Sequence, residues 1–190
     1  MSTRVLTVHR LLGRVAFCAV LCWAWPGAAA GYGLFSESGR GSAVDLFRLG
    51  AQWNWEPQDW LPRGDHYEVV GFWEGSYGHW HGQDNSPKSV TELDEVGFKA
   101  VLRAVYTGGP TRPYVEWGPG FRLMSHTRIN SNRVFSTAFQ FDNHIGVGVE
   151  FGPNGAYDIG YRFRHISNAA IKHPNNGINL QEVQLTYHWR

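Results

Sequence analysis

The stretch Tyr157–Ser167 reads YDIGYRFRHIS, and its alternation decides the fold. Tyr157, Ile159, Tyr161 and Phe163 share one face of an extended chain, while Asp158, Gly160, Arg162 and Arg164 share the other. Successive side chains of a strand point to opposite sides, so this is the period of a strand with two unlike faces. The period recurs along the chain. Residues 43–55 set Phe47, Leu49, Ala51, Trp53 and Trp55 against Arg48, Gln52 and Asn54. Residues 66–78, 95–106, 113–123, 134–142, 144–151 and 180–190 repeat it, each opposing an apolar row to a more polar one. The links between these runs hold Gly, Pro, Asn and Asp, the residues that turns favour. Eight strands are expected, with almost no helix.

Eight alternating strands point to a closed antiparallel barrel, but periodicity does not say which face looks outward. A soluble lipocalin-like barrel would turn the apolar rows inward; a membrane barrel turns them to lipid and keeps charge inside. Three features favour the membrane. The runs are about 9–13 residues, the length a tilted strand needs to cross the hydrocarbon. Trp53, Trp55, Tyr67, Tyr77, Tyr106, Tyr157 and Trp189 lie near strand ends, where interfacial aromatics belong. The polar rows carry both signs of charge and can pair in a narrow lumen. The expected fold is therefore an eight-stranded antiparallel transmembrane β-barrel of the bacterial outer membrane. With both ends of the chain periplasmic, the links 79–90 and 124–132 are expected on the periplasmic side, and the seventh strand ends at the cell surface.

The first 30 residues are of a different kind. Arg4, Arg10 and Arg14 precede the apolar stretch Val15–Trp25, Pro26 follows, and Ala28-Ala29-Ala30 closes the segment. That order matches a cleaved signal peptide over 1–30, leaving the barrel to 31–190. Cys18 and Cys22 fall within the leader, so the mature chain has no cysteine and no disulfide. Without those arginines the formal charge of +1 becomes 14 basic against 16 acidic residues. Such a balance speaks against a nucleic-acid binder. The histidines of the mature chain share no common face and no Gly-rich phosphate loop occurs, so neither metal nor cofactor is expected.

The apolar row of Tyr157–Ser167 ends on His165 and then Ser167. Polar residues in a row that faces lipid are costly unless they reach the interface or perform chemistry. Residues i and i+2 share a face, so imidazole and hydroxyl are neighbours, the minimum for an activated nucleophile. Taken alone, the spacing more often marks two interfacial polar residues with no catalytic role.

The segment His165-Ile166-Ser167-Asn168-Ala169-Ala170-Ile171-Lys172-His173-Pro174-Asn175-Asn176-Gly177-Ile178 resembles the signature of the lipid A 3-O-deacylases of the PagL family. The resemblance extends to the Phe139-x-Phe141 and Gly146-x-Gly148 region. It implies an outer-membrane serine esterase that removes the 3-O-linked acyl chain from lipid A of lipopolysaccharide. Ser167 would be the nucleophile and His165 the general base, with the Asn168 amide and the Ala170 N–H facing the oxyanion. Where the family pattern has a carboxylate after the Gly-Ile pair, this chain has Asn179. Parity puts Asn179 on the outward face with Val183, Leu185 and Tyr187, and turns Glu182, the nearest acid, into the lumen. An amide can accept from imidazole N–H, as in Cys-His-Asn proteases, but supplies no charge to stabilise imidazolium. Slow turnover is therefore expected. Lys172 and His173 would meet lipid A phosphates or remain solvated loop residues, and a homodimer is compatible with the sequence. Two other readings stay open: a catalytically silent outer-membrane barrel, and a secreted barrel holding a small apolar ligand.

Overall fold

The structure, a computed structural model, describes residues 31–55, 58–83, 91–131 and 133–189; the leader expected over 1–30 lies outside these. In chain order the strands are β1 (Tyr32–Gly41), β2 (Val44–Asn54), β3 (Tyr67–Gly82), β4 (Glu92–Tyr106), β5 (Arg112–Met124), β6 (Arg128–Ile129), β7 (Arg133–Val134), β8 (Phe139–Phe151), β9 (Tyr157–Ser167) and β10 (Ile178–Trp189). Eight of them close an antiparallel barrel in the order β1-β2-β3-β4-β5-β8-β9-β10, with β10 pairing back onto β1. The short strands β6 and β7 pair with each other in the link between β5 and β8.

The apolar rows face outward. Ile145 is 62% exposed and Leu49 53%, while Arg164 on the opposite parity is 0% exposed. Water on that outer wall would forfeit the burial of every strand, so the barrel is built for lipid. This removes the soluble, ligand-filled alternative.

Inside, charge pairs with charge. Arg164 reaches Glu182 at 2.6 Å, Asp142 at 2.7 Å and Glu37 at 3.1 Å. Arg162 joins Glu116 at 2.6 Å and Glu74 at 2.9 Å; Arg103 joins Asp158 at 2.7 Å and Glu116 at 2.9 Å. Each guanidinium finds several acceptors, which is what offsets the cost of removing it from water. Toward one end the lumen turns apolar: Val44, Leu46, Trp80, Leu93, Met124, Ile129, Phe135, Ile166, Ile178 and Leu180 form a buried plug. Ile129 and Phe135 come from the hairpin link, which folds over the mouth.

Two strands differ from the sequence reading. β1 lies outside the expected strands, because its alternation is broken: Tyr32 and Leu34 face outward and Glu37 inward, but Phe35 points inward and Ser36 and Ser38 point outward. Phe35 fits inside because it lies over Gly50, where a Cβ would meet the ring at 2.3 Å. Conversely, residues 139–142 of the run 134–142 continue without a turn into 144–151 as one strand, β8, which passes straight through the polar Asn143, while Val134 belongs to β7 and Phe135 to the plug. The two differences cancel in the strand count but reverse the direction assigned to β2 through β5. Gly82 and Met124, which lead into the links 79–90 and 124–132, therefore stand at the same end as the 168–177 loop, not at the opposite, periplasmic-type end. The opposite end carries an aromatic belt, with Tyr157 and Tyr187 rings 5.6 Å apart and Tyr32 stacked on Trp189 at 6.4 Å.

Candidate active site

Parity and register bring the polar outward residues together. His165 on β9 is directly opposite Asn179 on β10, and His165 Nδ1 lies 2.7 Å from Asn179 Oδ1. Both side chains are exposed on the outer wall; Glu182 is buried in the lumen against Arg48 and Arg164. An amide oxygen accepts only, so the contact fixes the Nδ1–H tautomer and leaves Nε2 as the basic nitrogen. Ser167 ends β9 on the same face, opposite Phe141 of β8. No hydrogen bond joins His165 Nε2 to Ser167 Oγ, a bond that in unliganded sites often forms only around a substrate. Behind the pair, Ile166 anchors the strand end in the plug.

The loop after Ser167 begins with a tight turn. Ile171 N–H donates to Asn168 O at 3.0 Å, and Ala169 and Ala170 have φ of 52° and 62°. Positive φ at both central residues is the type I′ pattern, which glycine and asparagine accept more readily than alanine. Among the described residues no hydrogen bond engages the Ala170 N–H, which leaves it available as a donor. The Asn168 side chain differs from expectation. It is fully buried, and Nδ2 donates to Phe135 O and Lys172 O, both at 2.8 Å. With both hydrogens spent, the amide braces the loop rather than facing an oxyanion. Asn175 Oδ1 accepts from the Asn168 N–H at 3.2 Å, a turn-stabilising role.

Gly177 closes the loop over the pair. Its φ is 51°, and a Cβ there would lie 3.4 Å from both His165 Cε1 and Ser167 Cβ. A residue the sequence reading passed over completes the row: Asn143 of β8 faces outward and is directly opposite His165 on the other side. The signal was present, since Asn143 breaks the apolar row of Phe139, Phe141, Ile145 and Val147 as His165 breaks its own. Next to Ser167, Phe141, Phe139, Phe121, Phe98 and Trp73 line an apolar groove on the outer wall, floored by Pro119 and Gly120. Among the described residues no group of three or more His, Cys, Asp or Glu side chains is placed to hold a metal ion.

A lipid-facing barrel wall bearing a serine, a histidine and the amide bonded to it defines the class: an eight-stranded outer-membrane barrel with a polar cluster on its outside. The sequence pattern of the family described as Lipid A 3-O-deacylase (PagL) matches residues 45–188, and the chain belongs to that family. Lipid A deacylase PagL of Pseudomonas aeruginosa is 30% identical over 138 residues, covering 73% of this chain and 75% of that protein. Lipid A deacylase PagL of Bordetella bronchiseptica is 46% identical over 76 residues, 40% of each. The crystal structure of the outer membrane enzyme PagL superposes with a TM-score of 0.71 at 24% identity, over 82% of this chain and 98% of that one.

Proposed function

We propose that the chain is a serine esterase of the outer membrane that hydrolyses the ester-linked acyl chain at the 3 position of lipid A. The observation that carries this reading is the His165–Asn179 contact, made on the lipid-facing wall one residue pair from Ser167. Residues 1–30 act as the cleaved leader, and the end bearing the 168–177 loop lies at the outer leaflet, where lipid A resides.

Ser167 Oγ attacks the ester carbonyl while His165 Nε2 takes its proton; the same proton passes to the departing sugar 3-oxygen. Water, activated by His165, then attacks the acyl-enzyme and releases the fatty acid with Ser167 restored. Ala170 N–H donates to the tetrahedral oxyanion. Asn168 serves that step by holding the turn that presents it. Asn179 keeps imidazole in the productive tautomer without stabilising its charge, which makes turnover slow. The groove along Phe141, Phe139 and Phe121 offers the acyl chain an apolar bed beside the nucleophile.

Mass spectrometry of lipid A from cells expressing the wild type or Ser167→Ala tests the reading. Loss of one 3-hydroxyacyl group in the wild type alone supports it. Unaltered lipid A in both, with the folded barrel recovered in the outer membrane, would instead favour the silent barrel, which the missing triad charge at Asn179 already suggests as the second reading.

A further inference from the structure

The loop that follows Ser167 is gripped from a second, distant loop. Arg133 of β7 donates from Nη1 to Asn176 O at 3.2 Å and to Gly177 O. Val134 N–H donates to Asn176 Oδ1 at 3.1 Å, and Asn176 N–H returns a bond to Val134 O at 3.2 Å. Ser136 Oγ donates to Pro174 O at 2.6 Å, and Phe135 O receives the Asn168 amide. This hairpin is itself immobilised. Phe135 and Ile129 are fully buried in the plug, with Phe135 edge-on to Trp80 at 6.3 Å. A clamp built on buried side chains therefore ends on Gly177, the residue that lies against both His165 and Ser167.

Arg133 is the charged member of this clamp, and its one nitrogen ties two consecutive carbonyls. Charge-assisted bonds are about twice as strong as neutral ones, so the segment 176–177 depends on it more than on the amide contacts around it. We propose that Arg133 is a positioning residue of the esterase site: by holding the Asn176 and Gly177 carbonyls against the plugged hairpin, it sets the packing of Gly177 on His165 and Ser167. The inference rests on the esterase reading of that pair. Misplacement of reacting groups by about 1 Å can cost about a hundredfold in rate, so a remote clamp of this kind acts on kcat.

The test uses full-length protein purified from outer membranes as wild type, Arg133→Met and Arg133→Lys, with folding checked by the heat-dependent shift of a barrel on a gel. Two readouts are taken: lipid A hydrolysis in detergent, and the rate at which trypsin cuts after Lys172. Arg133→Met should cut faster at Lys172 and lose about tenfold to a hundredfold in kcat, with KM within about twofold. Arg133→Lys, which keeps charge and donors, should recover most of both. Unchanged cutting overturns the clamp, and faster cutting with undiminished kcat overturns its role in the site. A rise in KM at constant kcat also overturns it, by making Arg133 a contact to substrate. Should the wild type leave lipid A intact, the esterase reading fails, while the clamp is still judged by cleavage at Lys172.

Discussion

His165 Nδ1 and Asn179 Oδ1 stand 2.7 Å apart across a matched pair of neighbouring strands. The same register that pairs the strands thus brings the imidazole to its amide partner. In the proposed esterase the bond keeps the orientation a carboxylate would give and lacks only its charge.

That separation of roles can be measured. Asn179→Glu should raise kcat by about tenfold or more with KM little changed, because a carboxylate in place of the amide stabilises the imidazolium of the transition state. The loss of about 10⁴ seen when a serine protease's Asp becomes Asn sets the ceiling. Steady-state kinetics of the two purified proteins decides it; a rate that does not rise would mean that the charge at this position is not what limits turnover.

Gly177→Ala should impair the site without unfolding the barrel. At φ of 51° an alanine is strained by about 1–2 kcal/mol. Its Cβ would also crowd Ile166 O at 3.2 Å and come into contact with His165 and Ser167, both 3.4 Å away. A fall in kcat of about tenfold is expected, read on protein that still shows the heat-dependent gel shift of a folded barrel.

Ala170→Gly should move the other way in stability. Ala170 sits at φ of 62°, a conformation glycine adopts freely. Relief of strain less the added entropy of the unfolded chain leaves a gain of about 0.5–1 kcal/mol, detectable as a higher urea midpoint.

Arg48→Met tests the lumen. Arg48 meets Glu37 at 2.5 Å and also pairs with Glu95 and Glu182. Removing it takes one cation from three buried carboxylates, which keep only their pairs with Arg122, Arg162 and Arg164, for a destabilisation of about 3 kcal/mol in equilibrium unfolding. Since Glu182 faces the lumen and not His165, kcat of the surviving folded fraction should hold.

Much of this was legible in the residues. Alternation identified the barrel, and parity alone placed His165, Ser167 and Asn179 outside and Glu182 inside. The failures have a common physical origin, which is that partners lie far apart in the chain. Phe35 turns into a polar lumen because Gly50, on the next strand, leaves room for its ring. The Asn168 amide is claimed by Phe135 O, 33 residues earlier, so its local setting next to Ser167 misleads. Asn143 falls between the runs 134–142 and 144–151, and its place in the site depends on His165 standing opposite. Arg133 carries no local signal at all, since its acceptors are 43 and 44 residues away.

The crowded interior bears on the cell as a whole. Arg48, Arg103, Arg122, Arg162 and Arg164 are locked to carboxylates from wall to wall, beneath an oily stopper at one mouth. Ions crossing along the axis would have to part these bonds, so in a planar bilayer the protein should carry no current above that of the bare membrane. A cell can then hold many copies without perforating its own permeability barrier, which a wider barrel with the same outer wall would not allow.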